Sequence, residues 1–296
     1  MNGTWINQST RLSIVARILR KNYDLWNYRE ILLPAIERNG GELDKGTKFT
    51  DGRDFYLVKP DITSQILTRL TDEKPRKLFY ISEVLDGGTT GDWQFGAEYI
   101  GGENRWMVIE TLASIITGLE SLGIEEFYID VGSKSVWESV TEDIPGLRNE
   151  VFSALHHRSF DLIDDLSISE TKKDEIWSLF NFRDKKCDYD RLNEILDTID
   201  DERVYADFGT VRGMHYYEDL TFEIYSPAIG SPLGGGGEYK FRDSGACGFA
   251  FNLEVLLEIF SGLSGRDRMV VDGSPEERLK RAKRLVLGGD PVEVKS

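Results

Sequence analysis

One stretch of the chain combines side chains that suit recognition of a small polar ligand. Residues 212–217 read RGMHYY, so Arg212, Tyr216 and Tyr217 flank a glycine shortly before an apolar segment at 221–225. A guanidinium is a planar fork that matches a carboxylate through two hydrogen bonds. A tyrosine hydroxyl orients a ligand while its ring forms a pocket wall. The pattern favours a carboxylate-binding pocket, although a surface arginine beside packed tyrosines gives the same signature.

Other motifs argue against several kinds of site. Residues 234–237 are four glycines, but they form neither GxGxxG nor a P-loop ending in GK[ST], so we expect a turn there. Cys187 and Cys247 lie far apart in the sequence, and the three histidines have no ligand spacing. The sequence therefore predicts no disulfide framework, no metal site and no cofactor.

Composition limits the partners and the compartment. The apolar content of 40% and charged content of 30% are those of a soluble globular protein, and the formal net charge is −16. So acidic a chain disfavours binding to nucleic-acid phosphates. The first residues lack the pattern of a signal peptide, and no apolar run approaches about 18 residues. We therefore expect a cytoplasmic protein with no membrane segment.

The elements that must position these residues predict an α+β fold. Hairpin-like strands with interspersed helices favour a largely antiparallel sheet over regular βαβ units. Residues 145–203 lack strand alternation and predict a helical insertion, and Asp61 is a plausible helix cap. Strands are expected at residues 28–36, 55–58, 77–82, 94–100, 126–132, 205–210 and 221–225. Helices are expected at residues 12–26, 64–70, 107–122, 150–157, 172–180 and 188–199.

Taken in order, the motifs resemble those of the histidyl-tRNA synthetases and their paralogues, in the class II synthetase superfamily. RGMHYY and the TFE at 221–223 are similar to that family's RGLDYY and TVFE, with His215 where the family has Asp. Four further similarities are residues 57–65 (LVKPDITSQ) to LRPD(E)xTxx, 94–98 (QFGAE) to QxGxE, 236–239 (GGEY) to GGRYD, and 248–254 (GFAFNLE) to the start of GFAxGLER. The resemblance covers about residues 8–262.

The resemblance implies a class II synthetase-like core: a largely antiparallel six-stranded sheet flanked by helices, with a helical insertion. It also implies a pocket for free histidine, in which a carboxylate accepts an imidazole N–H. By role, its residues are Asp61, Thr63 and Gln94 for the α-amino group, Arg212 for the carboxylate, Glu98 and Tyr217 for the imidazole, and Tyr216 and Tyr239 for the wall.

The cations that activate an amino acid with ATP are missing from the matching positions. The family places one arginine in its second motif, in a context like FRxE, and another in the LER of its third motif. Here residues 82–87 read SEVLDG, and Val255 stands where the third-motif arginine is expected. Each loss costs on the order of 10² in rate, because charge develops on the phosphates in the transition state. We therefore predict no catalytic residues and no synthetase activity.

The resemblance also divides the chain into two domains. Residues 1–262 form the synthetase-like core, including the insertion at 145–203. Residues 263–296 look like the first βα unit of the synthetase anticodon-binding domain. Because the rest of that domain is absent from this sequence, we expect no recognition of tRNA.

One paralogous group in the family has this combination of features. The regulatory subunits of ATP phosphoribosyltransferase, the first enzyme of histidine biosynthesis, resemble the synthetase core and do not aminoacylate. They assemble with a short-form catalytic subunit and are implicated in histidine feedback. The resemblance thus implies a non-catalytic regulatory subunit that binds that catalytic subunit and free histidine as effector. It also implies a homodimer built on the first-motif helix and the strand at Pro34.

Two other interpretations remain open from the sequence. The chain is alternatively a divergent histidyl-tRNA synthetase or amino-acid ligase on the same core, which retention of Arg212 favours. A third possibility is a paralogue that binds neither histidine nor a transferase.

A regulatory role requires that histidine binds two states of the assembly with different affinity.

Overall fold

The computed structural model describes residues 2–38, 47–58, 61–85, 91–157, 161–210, 217–262 and 269–294. The chain divides into two compact units, Met1–Ser261 and Gly262–Ser296. The described strands are β1 (Arg29–Glu30), β2 (Ile36–Arg38), β3 (Thr47–Thr50), β4 (Phe55–Val58), β5 (Arg76–Val84), β6 (Asp92–Ile100), β7 (Tyr128–Ser133), β8 (Arg183–Asp184), β9 (Val204–Asp207), β10 (Tyr217–Tyr225), β11 (Gly234–Phe241), β12 (Ser244–Asn252), β13 (Met269–Val271) and β14 (Val292–Val294). The described helices are α1 (Asn2–Leu25), α2 (Ile62–Arg69), α3 (Asn104–Ser121), α4 (Lys134–Val140), α5 (Arg148–His157), α6 (Asp161–Asp164), α7 (Glu170–Phe180), α8 (Asp190–Ile199), α9 (Leu253–Ile259) and α10 (Pro275–Leu287).

The main sheet of the first unit has nine strands in the order β1-β5-β6-β12-β11-β10-β7-β9-β8. The six central strands, β5-β6-β12-β11-β10-β7, pair with one another in antiparallel fashion, which confirms the predicted antiparallel core. The sheet is wider than the six strands predicted, because β1 joins β5 and β9 joins β7 in parallel, and β8 pairs with β9. Residues 145–203 contain the helices α5 to α8 and, between α7 and α8, the two-residue strand β8, which was not predicted.

The glycine run does not form the expected turn. Residues 234–237 lie inside β11, paired on one side with β10 and on the other with β12. A Cβ on Gly237 would lie 2.6 Å from the Leu220 carbonyl oxygen and 2.9 Å from Tyr217 Cδ1, so a side chain has no room there. The glycines thus permit close approach of the neighbouring backbone, which composition alone does not distinguish from a turn.

Two hydrophobic clusters cover the faces of the sheet. The larger one joins α1, α3 and the insertion to one face, and includes the buried Tyr23, Phe95 and Leu112. Insertion residues such as Leu192 and Ile195 belong to this same cluster. The smaller cluster, on the opposite face, contains Leu78, Tyr80, Ile100 and Tyr239 together with Ile62 and Ile66 of α2. Alternate residues of each strand therefore serve different faces of the sheet.

Two smaller sheets complete the architecture. In the first unit β2, β4 and β3 form an antiparallel sheet of three strands, and β4 leads towards α2. The second unit is a βαβ arrangement, in which β13 and β14 pair in parallel and a capping box between Ser274 and Glu277 begins α10. Within the described ranges, no helix combines the length and the apolar character needed to cross a bilayer.

Trp137 anchors α4 to the sheet and gives a test of the fold. Its ring is fully buried, and its indole N–H donates to the Phe208 carbonyl oxygen at 2.7 Å. Trp137→Phe leaves that buried carbonyl without its donor, so we expect a loss of about 1–3 kcal/mol in the free energy of unfolding. Urea unfolding measures it. Trp106→Phe, at a half-exposed tryptophan in α3, should be neutral, and equal effects of both changes would contradict this account.

Candidate functional site

A buried carboxylate forms the centre of the candidate site. Glu98 lies in β6 and is 2% exposed. Its Oε1 accepts a hydrogen bond from Thr63 Oγ1 at 2.7 Å, and its Oε2 accepts one from the Tyr239 hydroxyl at 2.7 Å. Burial raises the pKa of Glu98 to about 7, although these two hydrogen bonds oppose the shift and the nearby charge of Asp61 adds to it. The carboxyl group is therefore poised to change charge near neutral pH.

The start of α2 positions two side chains next to Glu98: the hydroxyl of Thr63 and the carboxylate of Asp61. Asp61 caps this helix, since its Oδ2 accepts hydrogen bonds from Ser64 N at 2.9 Å and Ser64 Oγ at 2.7 Å. The predicted cap at Asp61 is confirmed, and capping uses one of its two carboxylate oxygens. Thr63 follows in the first turn, which brings its hydroxyl to Glu98.

The wall of the site comes from β10 and β11. Tyr217 and Tyr239 lie directly opposite each other in these two strands, and both rings are buried. The pairing is irregular between Tyr217 and Thr221, so β10 bulges directly after Tyr217. The two tyrosines are therefore adjacent on the sheet, and the hydroxyl of Tyr239 donates to Glu98.

The structure brings together most of the residues predicted from the sequence. Thr63, Tyr239 and Glu98 are in direct contact, Asp61 influences Glu98 electrostatically, and Tyr217 lies beside Tyr239. Gln94 is half-buried in β6, an even number of residues from Glu98 and hence on the same face of the sheet. Arg212 and Tyr216 lie outside the described residues, so their predicted roles stay predictions.

Two residues of the site were not assigned from the sequence. Tyr80 of β5 is buried in the same small cluster as Tyr239, and a Cβ on Gly96 would lie 2.7 Å from its Cε1. Gly248 of β12 lies opposite Glu98, and a Cβ there would lie 2.6 Å from Glu98 Cδ. A glycine facing a large polar side chain across a strand pair was the available signal, but it requires the strand register to be known.

The region that matches the ATP-binding motifs is acidic. Glu83 at the end of β5 and Asp92 at the start of β6 lie near Glu254, whose Oε2 accepts a hydrogen bond from Trp93 N at 2.9 Å. Burial raises the pKa of Glu254, backbone hydrogen bonds oppose the shift, and the charges of Asp92 and Glu83 add to it. Residues 82–85, 91–95 and 252–256 contain no lysine or arginine. Val255 is partly buried against the main core.

The arrangement at Glu98 suits a ligand that carries N–H donors. A carboxylate held by two hydroxyl groups in a buried site accepts N–H donors, and a ligand without such a donor leaves it unpaired. The carboxylates of Glu83, Asp92 and Glu254, in the region that matches the ATP-binding motifs, repel a phosphate chain. Among the residues that the structure describes, no group of three or more histidine, cysteine, aspartate or glutamate side chains is arranged to hold a metal ion.

A groove of about 1260 Å³ lies elsewhere, between α1, β1, α2 and β5. Its lining includes Arg17, Arg29 and Leu32 but neither Glu98 nor Tyr239. We place the site at Glu98 instead, because the polar side chains that converge there are buried and hydrogen-bonded to one another.

Comparison with known proteins identifies the lineage of the chain. The family profile described as histidyl-tRNA synthetase matches residues 6–194 and 172–256. A histidine–tRNA ligase from Thermococcus kodakarensis is 29% identical, over 94% of this chain and 75% of that protein. An ATP phosphoribosyltransferase regulatory subunit from Syntrophotalea carbinolica is 26% identical, over 92% of this chain and 78% of that protein.

Solved structures share the fold. A crystal structure described as an ATP phosphoribosyltransferase regulatory subunit/histidyl-tRNA synthetase from Bacillus halodurans has a TM-score of 0.78 at 21% identity, covering 99% of this chain and 89% of that one. A chain of the ATP phosphoribosyl transferase (HisG:HisZ) complex from Thermotoga maritima has a TM-score of 0.68 at 18% identity, covering 81% of this chain and 96% of that one. The predicted class II synthetase-like fold is therefore confirmed.

Proposed function

Because the chain belongs to the histidyl-tRNA synthetase family, we propose that it is a regulatory, non-catalytic subunit of ATP phosphoribosyltransferase that holds free histidine at Glu98. Three relatives named ATP phosphoribosyltransferase regulatory subunit are similar over 92%, 84% and 84% of the chain. This role places the chain at the first step of histidine biosynthesis, and histidine, the end product of that pathway, is the proposed feedback effector.

One observation carries the proposal: the two ends of the site have opposite character. The amino-acid end keeps a buried carboxylate with its two hydroxyl donors, Thr63 and Tyr239. The phosphate end has Glu83, Asp92 and Glu254 where a synthetase needs cations. Since phosphoryl chemistry depends on positive charge around the phosphates, the second change removes activation while the first preserves binding.

Within the proposed pocket, each polar group of histidine has a partner that complements it in charge or in hydrogen bonding. Glu98 accepts an imidazole N–H, with Tyr217 and Tyr239 beside it. Asp61, Thr63 and Gln94 accept hydrogen bonds from the ammonium group, and Arg212 holds the carboxylate. Tyr216 contributes to the wall.

The proposed assembly pairs this chain with a short-form catalytic subunit and with a second copy of itself. Support for the homodimer comes from the edge of the sheet at β1, where Leu25 and Leu32 are 76% and 86% exposed beside the groove of α1. Residues 263–296 then correspond to the first βα unit of an anticodon-binding domain. The acidic charge of the chain supports the absence of a tRNA partner. The proposed biosynthetic role supports a cytoplasmic location.

A divergent synthetase or amino-acid ligase is the second candidate. The 29% identity to a histidine–tRNA ligase and the presence of Arg212 in the sequence favour it. It requires that cations from outside the two motifs replace the missing arginines.

Two assays on the full chain distinguish these functions. We expect histidine-dependent ATP–pyrophosphate exchange to be on the order of 10⁴ below that of an authentic histidyl-tRNA synthetase, since two phosphate-binding arginines are absent. We also expect the chain to raise the activity of a short-form phosphoribosyltransferase and to make the mixture sensitive to histidine, with light scattering giving the mass of the complex. Exchange at a synthetase-like rate, or no effect on the transferase, would overturn the proposal.

A further inference from the structure

The bulge in β10 is completed by a side chain from the neighbouring strand. Tyr217 pairs with Tyr239 and Thr221 with Gly237, so residues 218–220 all lie opposite Glu238 alone. The Leu220 N–H donates to Glu238 Oε2 at 3.1 Å. Backbone groups in a buried bulge need such a substitute acceptor, because the regular ladder is interrupted there. Glu238 is 6% exposed, and burial raises its pKa.

The charge of Glu238 is balanced from the helical insertion. Arg191, in the first turn of α8, binds both carboxylate oxygens of Glu238, with Nη1 at 2.9 Å from Oε2. The same Nη1 lies 2.9 Å from Asp219 Oδ2. Asp219 also accepts hydrogen bonds from Ser133 Oγ at 2.6 Å and the Tyr189 hydroxyl at 2.7 Å. The Arg191 guanidinium thus binds the carboxylate of Asp219 in the bulge and that of Glu238 opposite it.

This cluster lies directly behind the pocket. Glu238 precedes Tyr239 in β11, and adjacent strand residues point to opposite faces of the sheet. Glu238 therefore faces the insertion while the Tyr239 hydroxyl reaches Glu98 on the other face. Tyr217 is the residue at which the bulge begins. Loss of the contacts from Arg191 of α8 to Asp219 and Glu238 should then alter the spacing of both pocket tyrosines.

We propose that Arg191 is a positioning residue for the amino-acid pocket, through which the helical insertion sets the affinity for histidine. The inference rests on the proposed histidine site. Without Arg191, Glu238 is a buried charge with no counter-ion, and the bulge must rearrange to hydrate it. That rearrangement moves Tyr239 away from Glu98.

Another arginine of this part of the chain provides a matched control. Arg203 binds Asp201 at 2.6 Å and Glu120 at 2.7 Å, and its guanidinium lies over the Phe127 ring. Its side chain is 22% exposed and that of Arg191 is 29% exposed, and each pairs with two carboxylates. In the part of the chain that the structure describes, the Arg203 side chain forms no hydrogen bond or salt bridge with β10 or β11, so its loss tests for general destabilisation.

Calorimetric titration of the full chain with histidine tests the proposal. We expect Arg191→Met to raise the Kd for histidine at least about tenfold and Arg203→Met to leave it unchanged. Glu238→Gln keeps an acceptor for the Leu220 N–H but removes the charge. The double variant Arg191→Met/Glu238→Gln should therefore return to within about threefold of the original Kd, the non-additivity expected of two groups in contact.

Each outcome has one meaning. An unchanged Kd in Arg191→Met, an equal loss in Arg203→Met, or no recovery in the double variant overturns the positioning role and leaves the proposed function standing. Absence of histidine binding by the unaltered chain overturns the proposed function itself. Should Arg191→Met fail to fold by circular dichroism, Arg191→Lys retains the charge without the fork. A Kd unchanged in that variant, too, would overturn the role.

Discussion

Replacing Gly248 by alanine is expected to remove histidine binding, with an affinity loss of at least about 100-fold. The added Cβ overlaps the Glu98 carboxylate, at 2.6 Å from its Cδ, and lies 3.1 Å from the Ala97 carbonyl oxygen. Glu98 cannot move aside without breaking its hydrogen bonds to Thr63 and Tyr239. The variant therefore displaces the carboxylate that we propose as the acceptor of the imidazole N–H.

Calorimetric titration measures the loss, and thermal unfolding shows whether the variant remains folded. Gly230→Ala is the matched control, because no atom lies within 4 Å of the Cβ position at that exposed glycine. A folded Gly248→Ala variant that binds histidine as the unaltered chain does would place the ligand away from Glu98. It would then contradict the proposed pocket rather than the fold.

Histidine affinity is expected to fall as the pH is lowered from 8 to 6, because burial raises the pKa of Glu98 to about 7. Below this value the free carboxyl group is protonated and must lose its proton before it accepts an imidazole N–H, so the affinity falls by up to about tenfold per pH unit. Glu98→Gln should weaken binding by about 10–100-fold and abolish this contribution. What remains in that variant is the titration of the ligand itself.

The stability of the free protein should depend on pH with the opposite sign. A carboxyl group whose pKa is raised on folding binds its proton more tightly in the folded state. Its contribution to stability is therefore complete below its ordinary pKa and is lost as the pH rises through about 7 for Glu98. Lowering the pH thus stabilises the free chain through this group while it weakens the complex.

Asp207 separates the two effects. Burial and the neighbouring charge of Asp130 raise its pKa, and it lies in β9 beside Arg183, with β7 between β9 and the pocket strand β10. Asp207→Asn should change the pH dependence of unfolding but leave that of histidine binding intact. If titrations at pH 6, 7 and 8 give one Kd for the unaltered chain, Glu98 does not receive the imidazole.

The sequence predicted the interior of the fold better than its borders. Strands β5 and β6 follow from apolar alternation, and Asp61 is an N-cap by residue type and position. The strand expected at 28–36 forms only as the two-residue β1, with β2 beginning at its last residue, and β8 was not predicted. Such short strands have little pattern of their own, because two residues pair only when a neighbouring strand is already in place. The glycine run was misread for the same reason, since its strand character depends on close packing between β10 and β12.

The candidate site shows the same division. Motif order was sufficient to select Thr63, Glu98 and Tyr239, which the fold brings into contact. It did not indicate that Glu254 lies near two other carboxylates, or that Arg191 reaches Glu238 from 47 residues away. Such contacts depend on how distant segments pack, and residue type and spacing along the chain carry no record of that packing.

The short strands at both ends of the main sheet also limit how the chain associates. β1 and β8 each contain two residues, both exposed, so each border offers few backbone groups for another chain to extend the ladder. Fibril-like stacking by strand addition is therefore disfavoured, as it is for natural sheets with short edges. A contact at the β1 border must instead rely on side chains, which makes its specificity a matter of shape and charge that substitution can adjust.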